Sequence, residues 1–299
     1  MDWLDRIISL YVFICDSYKN ELYTYCERFS NYSDLSFSDE EALVIYMCGI
    51  MDGKRTKKQI YNHARDYWQH LFPKLPSYVA FVKRINQIQD VFIPMIVLLQ
   101  SKLPESFLDN SFRLLDSMPI VMAKNNRRFN AKVAPDIADK NGYCATKNMY
   151  YYGVKLHVVG SYTKGSIPVP EYIGLTAAGV ADIRAYEQIL PCLSGIHLVA
   201  DKAYQKGGKP LFIEQNTQVY TPVKKQKGQK FLDAADQLLS TAVSRVRQPI
   251  ESLFNWLEEK TSIQNASKVR SSNGLLAHVF GRIATALYML LGKLSSYLA

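Results

Sequence analysis

The sequence predicts an α/β layer fold preceded by an all-helical segment. Up to Leu108 apolar residues recur at helical spacing, and from Asn110 onward short β-rich runs alternate with helical ones. The chain has 299 residues, 48% of them hydrophobic, which is enough to bury a large core or two. The expected division is a helical region over 1–108, compatible with a helix-turn-helix DNA-binding domain, and a mixed sheet flanked by helices over 109–299.

Within the first region, Ser38-Asp39-Glu40-Glu41 is a capping box ahead of the apolar run Ala42 to Met47 and predicts a helix start, and Asp52-Gly53 stops that helix. Ile60, Ala64 and Trp68 mark a second helix over Lys57 to Gln69. Leu75-Pro76-Ser77 heads a third that carries Lys83 and Arg84. Two helices, a Pro-containing connection and a basic third helix are compatible with a DNA reader that lays Lys83 and Arg84 in a groove; a solvated basic face is the plainer reading.

In the second region the expected strands are Phe112 to Asp116, Asn148 to Val159, Val169 to Leu175, Ile196 to Ala200 and Gln218 to Val223. The first three read as an antiparallel meander with a turn over Ser161 to Gly165. Pro170 confines the third to an edge or a bulge. Helical spacing is expected at Asp182 to Leu193, Leu232 to Val246, Ile250 to Lys260 and Leu275 to Leu294, with Pro249 in the first turn of the helix that carries Glu251.

A net charge of +9 and a pI near 9.1 suit a polyanionic partner. Cys15, Cys26, Cys48, Cys144 and Cys192 form no Cys-x-x-Cys pair, so neither a zinc site nor a disulfide framework is expected. The acidic start Met1-Asp2-Trp3-Leu4-Asp5 is unlike an export signal. The apolar runs Val91 to Leu99 and Ile283 to Leu291 fall short of the roughly 20 residues that span a bilayer. A cytoplasmic protein without a membrane partner is the expectation.

Three acids stand out. Asp116 and Asp201 each close a short apolar run, the pattern of a buried strand whose last residue emerges at a sheet edge, and Glu251 borders the apolar stripe Ile250, Leu253, Phe254 and Leu257. Two-metal phosphoryl transfer needs acidic oxygens that bridge ions about 3.5 to 4 Å apart, and magnesium is content with oxygen ligands alone. Glu258 and Glu259 are the alternatives to Glu251 on the same helix.

The patches Asp116-Ser117-Met118-Pro119-Ile120, Asp201-Lys202-Ala203-Tyr204 and Arg247 to Glu251, taken in order with the strand Tyr152-Gly153-Val154-Lys155-Leu156-His157, resemble the Asp-Asp-Glu signature of bacterial insertion-sequence transposases. The resemblance covers roughly Phe112 to Leu291 and implies a ribonuclease-H-like catalytic domain. It implies that Asp116, Asp201 and Glu251 bind two Mg²⁺ ions, with Mn²⁺ as a substitute. It implies DNA contacts for Arg247, Lys155 and Lys202, while His157 is either a substrate contact or a packed sheet residue. Lys224 and Lys225 head a basic loop that either tracks DNA or is simply solvated. Ser244 and Glu258 stand where several relatives have a tyrosine and a lysine, so the resemblance does not extend to those two contacts with the DNA end; Lys260 lies two residues off.

The implied activity is that of a DNA transposase, which cleaves a strand at an element's end and joins the freed 3′-hydroxyl to target DNA, acting near the bacterial nucleoid as a homodimer on terminal inverted repeats. A catalytically inactive, transposase-derived DNA-binding regulator is the alternative. A nuclease on RNA/DNA hybrids is a third reading, and the long helical segment argues against it.

Overall fold

The computed structural model describes residues 2–28, 35–104, 112–163 and 165–298. The chain forms two compact units, Met1–Lys102 with Leu257–Ala299, and Leu103–Trp256. The expected boundary at 108/109 and Lys164 of the expected turn lie outside the described residues.

The first unit is helical. Its helices are α1 (Trp3–Ser17), α2 (Asp39–Met51), α3 (Lys57–Tyr67), α4 (Tyr78–Gln87), α5 (Phe92–Ser101) and α8 (Ser272–Leu298). Helix α2 is buried on every side from Ala42 to Ile50, so it shows no amphipathic stripe and forms the unit's axis. Its start is the expected capping box, with Ser38 Oγ accepting the Glu41 amide and Glu41 accepting the Ser38 amide at 2.7 Å. Gly281 lets α8 approach α2, since a Cβ there would stand 2.6 Å from the Tyr46 ring. Residues 272–292 of α8 are long and apolar enough to cross a bilayer, which corrects the reading of this stretch as too short. With 78% of that segment buried, its apolarity is accounted for by the unit's own core.

The second unit is built on a seven-stranded mixed sheet. The strands are β1 (Phe112–Lys124), β2 (Asn141–Cys144), β3 (Met149–Ser161), β4 (Val169–Ala177), β5 (His197–Ala200), β6 (Leu211–Glu214) and β7 (Thr217–Tyr220). Their order is β2-β3-β1-β5-β7-β6, and β4 pairs with β3 beside β2. Strand β3 pairs antiparallel with β1 along its length on one side; on the other, β2 takes residues 149–152 and β4 takes 154–161. Parallel pairing enters at β1–β5 and β5–β7. Helix α6 (Asp182–Ile189) covers one face, where Leu115, Val159, Tyr186, Leu198, Ala200 and Tyr204 form the core. The stripe Val243, Ile250, Leu253 and Phe254 of α7 (Ala234–Thr261) is buried as well, with Ile250 beside Gly160 of β3. This mixed sheet flanked by helices, beside a helical N-terminal region, is a ribonuclease-H-like α/β fold.

Pro170 lies on the edge strand β4, at the register shift beside Gly160, as expected. Strands β2 and β6 are additions to the expected set. β6 and β7 form a two-residue hairpin whose Gln215 and Asn216 both have positive φ, 46° and 60°. Two other expectations are corrected. Helix α7 runs through Pro249 without ending, so Glu251 lies in mid-helix and gains nothing from a helix N-terminus; the proline removes only the bond to the Arg245 carbonyl, and the buried stripe carries the helix past it. Asp116 does not close its strand, because β1 continues to Lys124.

Gly153 is the tightest backbone contact in the sheet. Its φ is 155°, and a Cβ there would lie 2.1 Å from the Ile120 carbonyl oxygen at the β1 register shift. Gly153→Ala should destabilise the protein by at least about 2 kcal/mol, because neither backbone can yield without breaking the pairing. Gly174→Ala, where nothing lies within 4 Å, should leave the melting midpoint near that of the parent. Thermal unfolding of the two variants measures the contrast.

Candidate active site

The pairing of β1 with β5 covers only Phe112 to Leu115 against His197 to Ala200. Beyond it, among the described residues, β1 has no strand partner on that side, and Asp116 is the first residue past the parallel pairing. Asp201 is the first residue after β5 and keeps an extended backbone (φ −72°, ψ 160°) before the tight turn Lys202–Tyr204. Since side chains alternate along strands, Asp116 and Asp201 both project to the face opposite Leu115 and Ala200. The expected convergence of two acids at a sheet edge thus comes from the stop in β5 rather than from the end of β1.

The third acid arrives through an arginine. Arg247 Nη1 donates to Asp116 Oδ2 at 2.6 Å, and Arg247 Nη2 donates to Glu251 Oε1, one turn along α7, at 2.7 Å. The Asp116 and Arg247 side chains are 18% and 17% exposed, and Glu251 is open at 54%. Asp116 Oδ1 also accepts the Ser117 amide at 2.8 Å. Arg247 Nε is buried without a hydrogen-bond partner. Burial pushes the Asp116 carboxyl up to about 6; Arg247 and the Ser117 amide oppose the rise, and the charges of Asp201 and Glu251 add to it. A carboxyl raised in the folded state binds protons there that the unfolded chain has released. The Asp116 carboxylate is therefore a destabilising feature that grows as pH climbs through about 6. It is a site that gains from a cation.

Among the described residues no group of three or more His, Cys, Asp or Glu side chains is gathered to hold a metal ion. The Arg247 guanidinium stands between Asp116 and Glu251 and supplies the positive charge itself. The chemistry of the donors nevertheless suits a hard divalent cation: Asp116, Asp201 and Glu251 offer carboxylate oxygens, and neither thiolate nor imidazole joins them. A shallow groove of about 450 Å³ on α7 runs past the same place, lined by Ser244, Arg245, Gln248 and Glu251 among others. Its polar and cationic lining suits a phosphate backbone better than an apolar ligand.

The other expected contacts divide. Lys202, Lys224, Lys225 and Lys83 are exposed. Lys155 is not directed to the carboxylates. It pairs with Pro119 of β1, so its side chain lies on the α6 face, where Nζ donates to Asp182 Oδ1 at 2.7 Å. His157 is a packed sheet residue: fully buried, it bonds the Tyr204 hydroxyl at 3.2 Å and Thr176 Oγ1 at 2.8 Å, and burial lowers it to about 4, which keeps it neutral. Arg84 is engaged within the helical unit: its Nε and Nη2 hold the buried Asp39 carboxylate at 2.6 and 2.5 Å and Nη2 donates to the Cys26 carbonyl as well. A guanidinium so engaged fixes the helical unit and presents no free fork to a base. Glu258, the alternative to Glu251, accepts the Gln264 amide at 2.8 Å. Asp182 heads the expected helix, and its place 27 residues after Lys155 carries no local signal of their pairing.

A search of curated proteins and of solved structures finds no match to the chain. The profile of the transposase DDE domain matches residues 108–289, well over half of the chain, and that span contains Asp116, Asp201, Arg247 and Glu251. The sheet, the notch beside β5 and the acids on one face are thus found within the matched span, and the chain belongs to the transposase DDE domain family.

Proposed function

We propose that the chain is a metal-dependent DNA transposase that cleaves a strand at the end of an insertion sequence and joins the 3′-hydroxyl to target DNA, with Asp116, Asp201 and Glu251 as its catalytic carboxylates. The observation that carries this reading is the bridge from Asp116 through Arg247 to Glu251 beside Asp201. It concentrates negative charge in a place where one acid is already pushed up to about 6.

Asp116 and Asp201 would hold Mg²⁺ or Mn²⁺ from the rigid sheet, and Glu251 would complete the set from α7. A pair of such ions, when bound, activates the attacking oxygen and stabilises the leaving one. The chain's own part is positional. Asp116 is fixed on β1 by Arg247 and the Ser117 amide, so this acid is preorganised for the charge it would receive. Arg247 now holds Asp116 and Glu251 through its two Nη atoms; with a cation on those carboxylates, the same Nη atoms would be available to a phosphate oxygen. The α7 groove leads the backbone past that guanidinium, and Lys202, Lys224 and Lys225 add exposed positive charge. Joining two element ends would bring two copies of the chain together on DNA.

Glu251→Gln keeps the shape of the side chain and removes its charge. It should reduce cleavage of a terminal-repeat duplex by a factor of about 10² or more, while binding of the same duplex, measured by anisotropy, survives. Asp116→Asn and Asp201→Asn should behave alike, and Glu259→Gln should stay within a few-fold of the parent. A Glu251→Gln protein that cuts at the parental rate would reject this assignment, and retained DNA binding without cleavage in the parent would favour the regulator.

The raised Asp116 also sets a pH dependence. A metal competes with its proton, so Mg²⁺ affinity measured by calorimetry should strengthen as pH rises from 5 to 7, with a midpoint near 6. Arg247 lowers this carboxyl, so Arg247→Gln should move the midpoint upward. A flat affinity across this range would place the metal on other residues.

A further inference from the structure

The helical unit contains a cleft of about 710 Å³ that the carboxylate chemistry does not use, well within the size of small-ligand sites. Six cations line it: Arg55, Lys57, Lys58, Lys268, Arg270 and Arg282. No Asp or Glu belongs to the lining, and among the described residues none of the six is held in an ion pair. A wall with that much uncompensated charge is costly to assemble, and the structure shows how it is held. Arg282 is 2% exposed and serves as a strut, its Nη2 donating to the Arg55 carbonyl at 2.7 Å, its Nη1 to the Thr261 carbonyl and its Nε to His278 Nδ1. Lys57 donates to Asn86 and lies 5.9 Å from the centre of the Tyr46 ring. The first turns of α3, at Thr56 and Lys57, and of α8, at Gly274, both open into the cleft and add the positive ends of two helix dipoles.

We propose that this cleft is a binding site for a phosphate-bearing ligand, its phosphates received by Lys57, Lys58, Lys268 and Arg270 while Arg282 holds the walls apart. The phosphate belongs either to a nucleic-acid strand or to a free nucleotide, and the shared chemistry is the same. Burial and the neighbouring Arg282 bring Lys57 down to about 7, so an anion in the cleft restores its charge and binding takes up a proton near neutral pH. Tyr78, with Lys58 4.4 Å above its ring, offers a flat apolar surface beside the cations. The proposal depends on no step of strand cleavage.

The test uses the full chain in chelator, which removes metal-bridged phosphate from consideration. Lysine amines are acetylated briefly with and without ADP, pyrophosphate or an unrelated duplex oligonucleotide, and modification is read by mass spectrometry. Lys58 and Lys268 should be protected several-fold, and Lys102 should not. Protection by ADP or pyrophosphate identifies a free phosphorylated ligand, and protection by the duplex alone identifies a nucleic-acid strand. The exposed double substitution Lys268→Gln with Arg270→Gln should weaken binding of the protecting probe about tenfold or more and lower the salt dependence of duplex binding. Lys102→Gln, outside the cleft lining, should bind each probe as the parent does. No protection by any probe, together with unchanged binding in the double variant, overturns the proposal, and it does so whether or not the carboxylates cut DNA.

Discussion

Strand β5 stops at Ala200 while β1 runs on to Lys124, and the carboxylate site depends on that difference in length. Had the parallel pairing continued, Asp116 would stand inside a covered sheet and Asp201 would be one more ladder residue. Because it ends there, two acids from strands distant in sequence meet side by side at a notch, on the face opposite the α6 core. The desolvation that raises Asp116 and the ion pair with Arg247 both follow from this placement. The site's electrostatics is therefore a consequence of topology, with Arg247 holding the balance between buried and exposed carboxylates.

Local physical chemistry made much of this legible before any coordinates. The capping box at Ser38, the edge position of Pro170, the β3 and β5 runs and the three acid patches each carry their signal within a few residues. The identity of the family lay in the order of those patches. What stayed hidden required partners far away in the chain. Arg84 looks like a DNA-reading cation until Asp39, 45 residues earlier, is seen to claim it. Lys155 sits in a motif that reads as substrate-facing, but strand alternation turns it toward Asp182. Pro249 invites a helix start, and only the buried stripe running past it shows that packing overrides one missing hydrogen bond. The hairpin at Gln215-Asn216 escaped notice because its turn contains no glycine.

The helical unit shows the same rule with the opposite charge. There the hydrogen bonds of a buried guanidinium, Arg282, go to neutral acceptors: two carbonyls and an imidazole nitrogen. In the sheet unit Arg247 has carboxylates on both Nη atoms. One arginine is satisfied as a scaffold by backbone and ring acceptors, and the other is held by charged side chains.

The notch has a further consequence for the chain's behaviour in solution. From Asp116 onward one side of β1 carries no strand partner among the described residues, and a bare strand edge is a template on which another chain can pair. The Ser117 amide donates to the Asp116 carboxylate, so the odd-numbered amides face that open side, and two residues on Pro119 has no amide to offer. The notch is thereby a poor seed for edge-to-edge aggregation: one donor is turned inward to a carboxylate, and the next is missing.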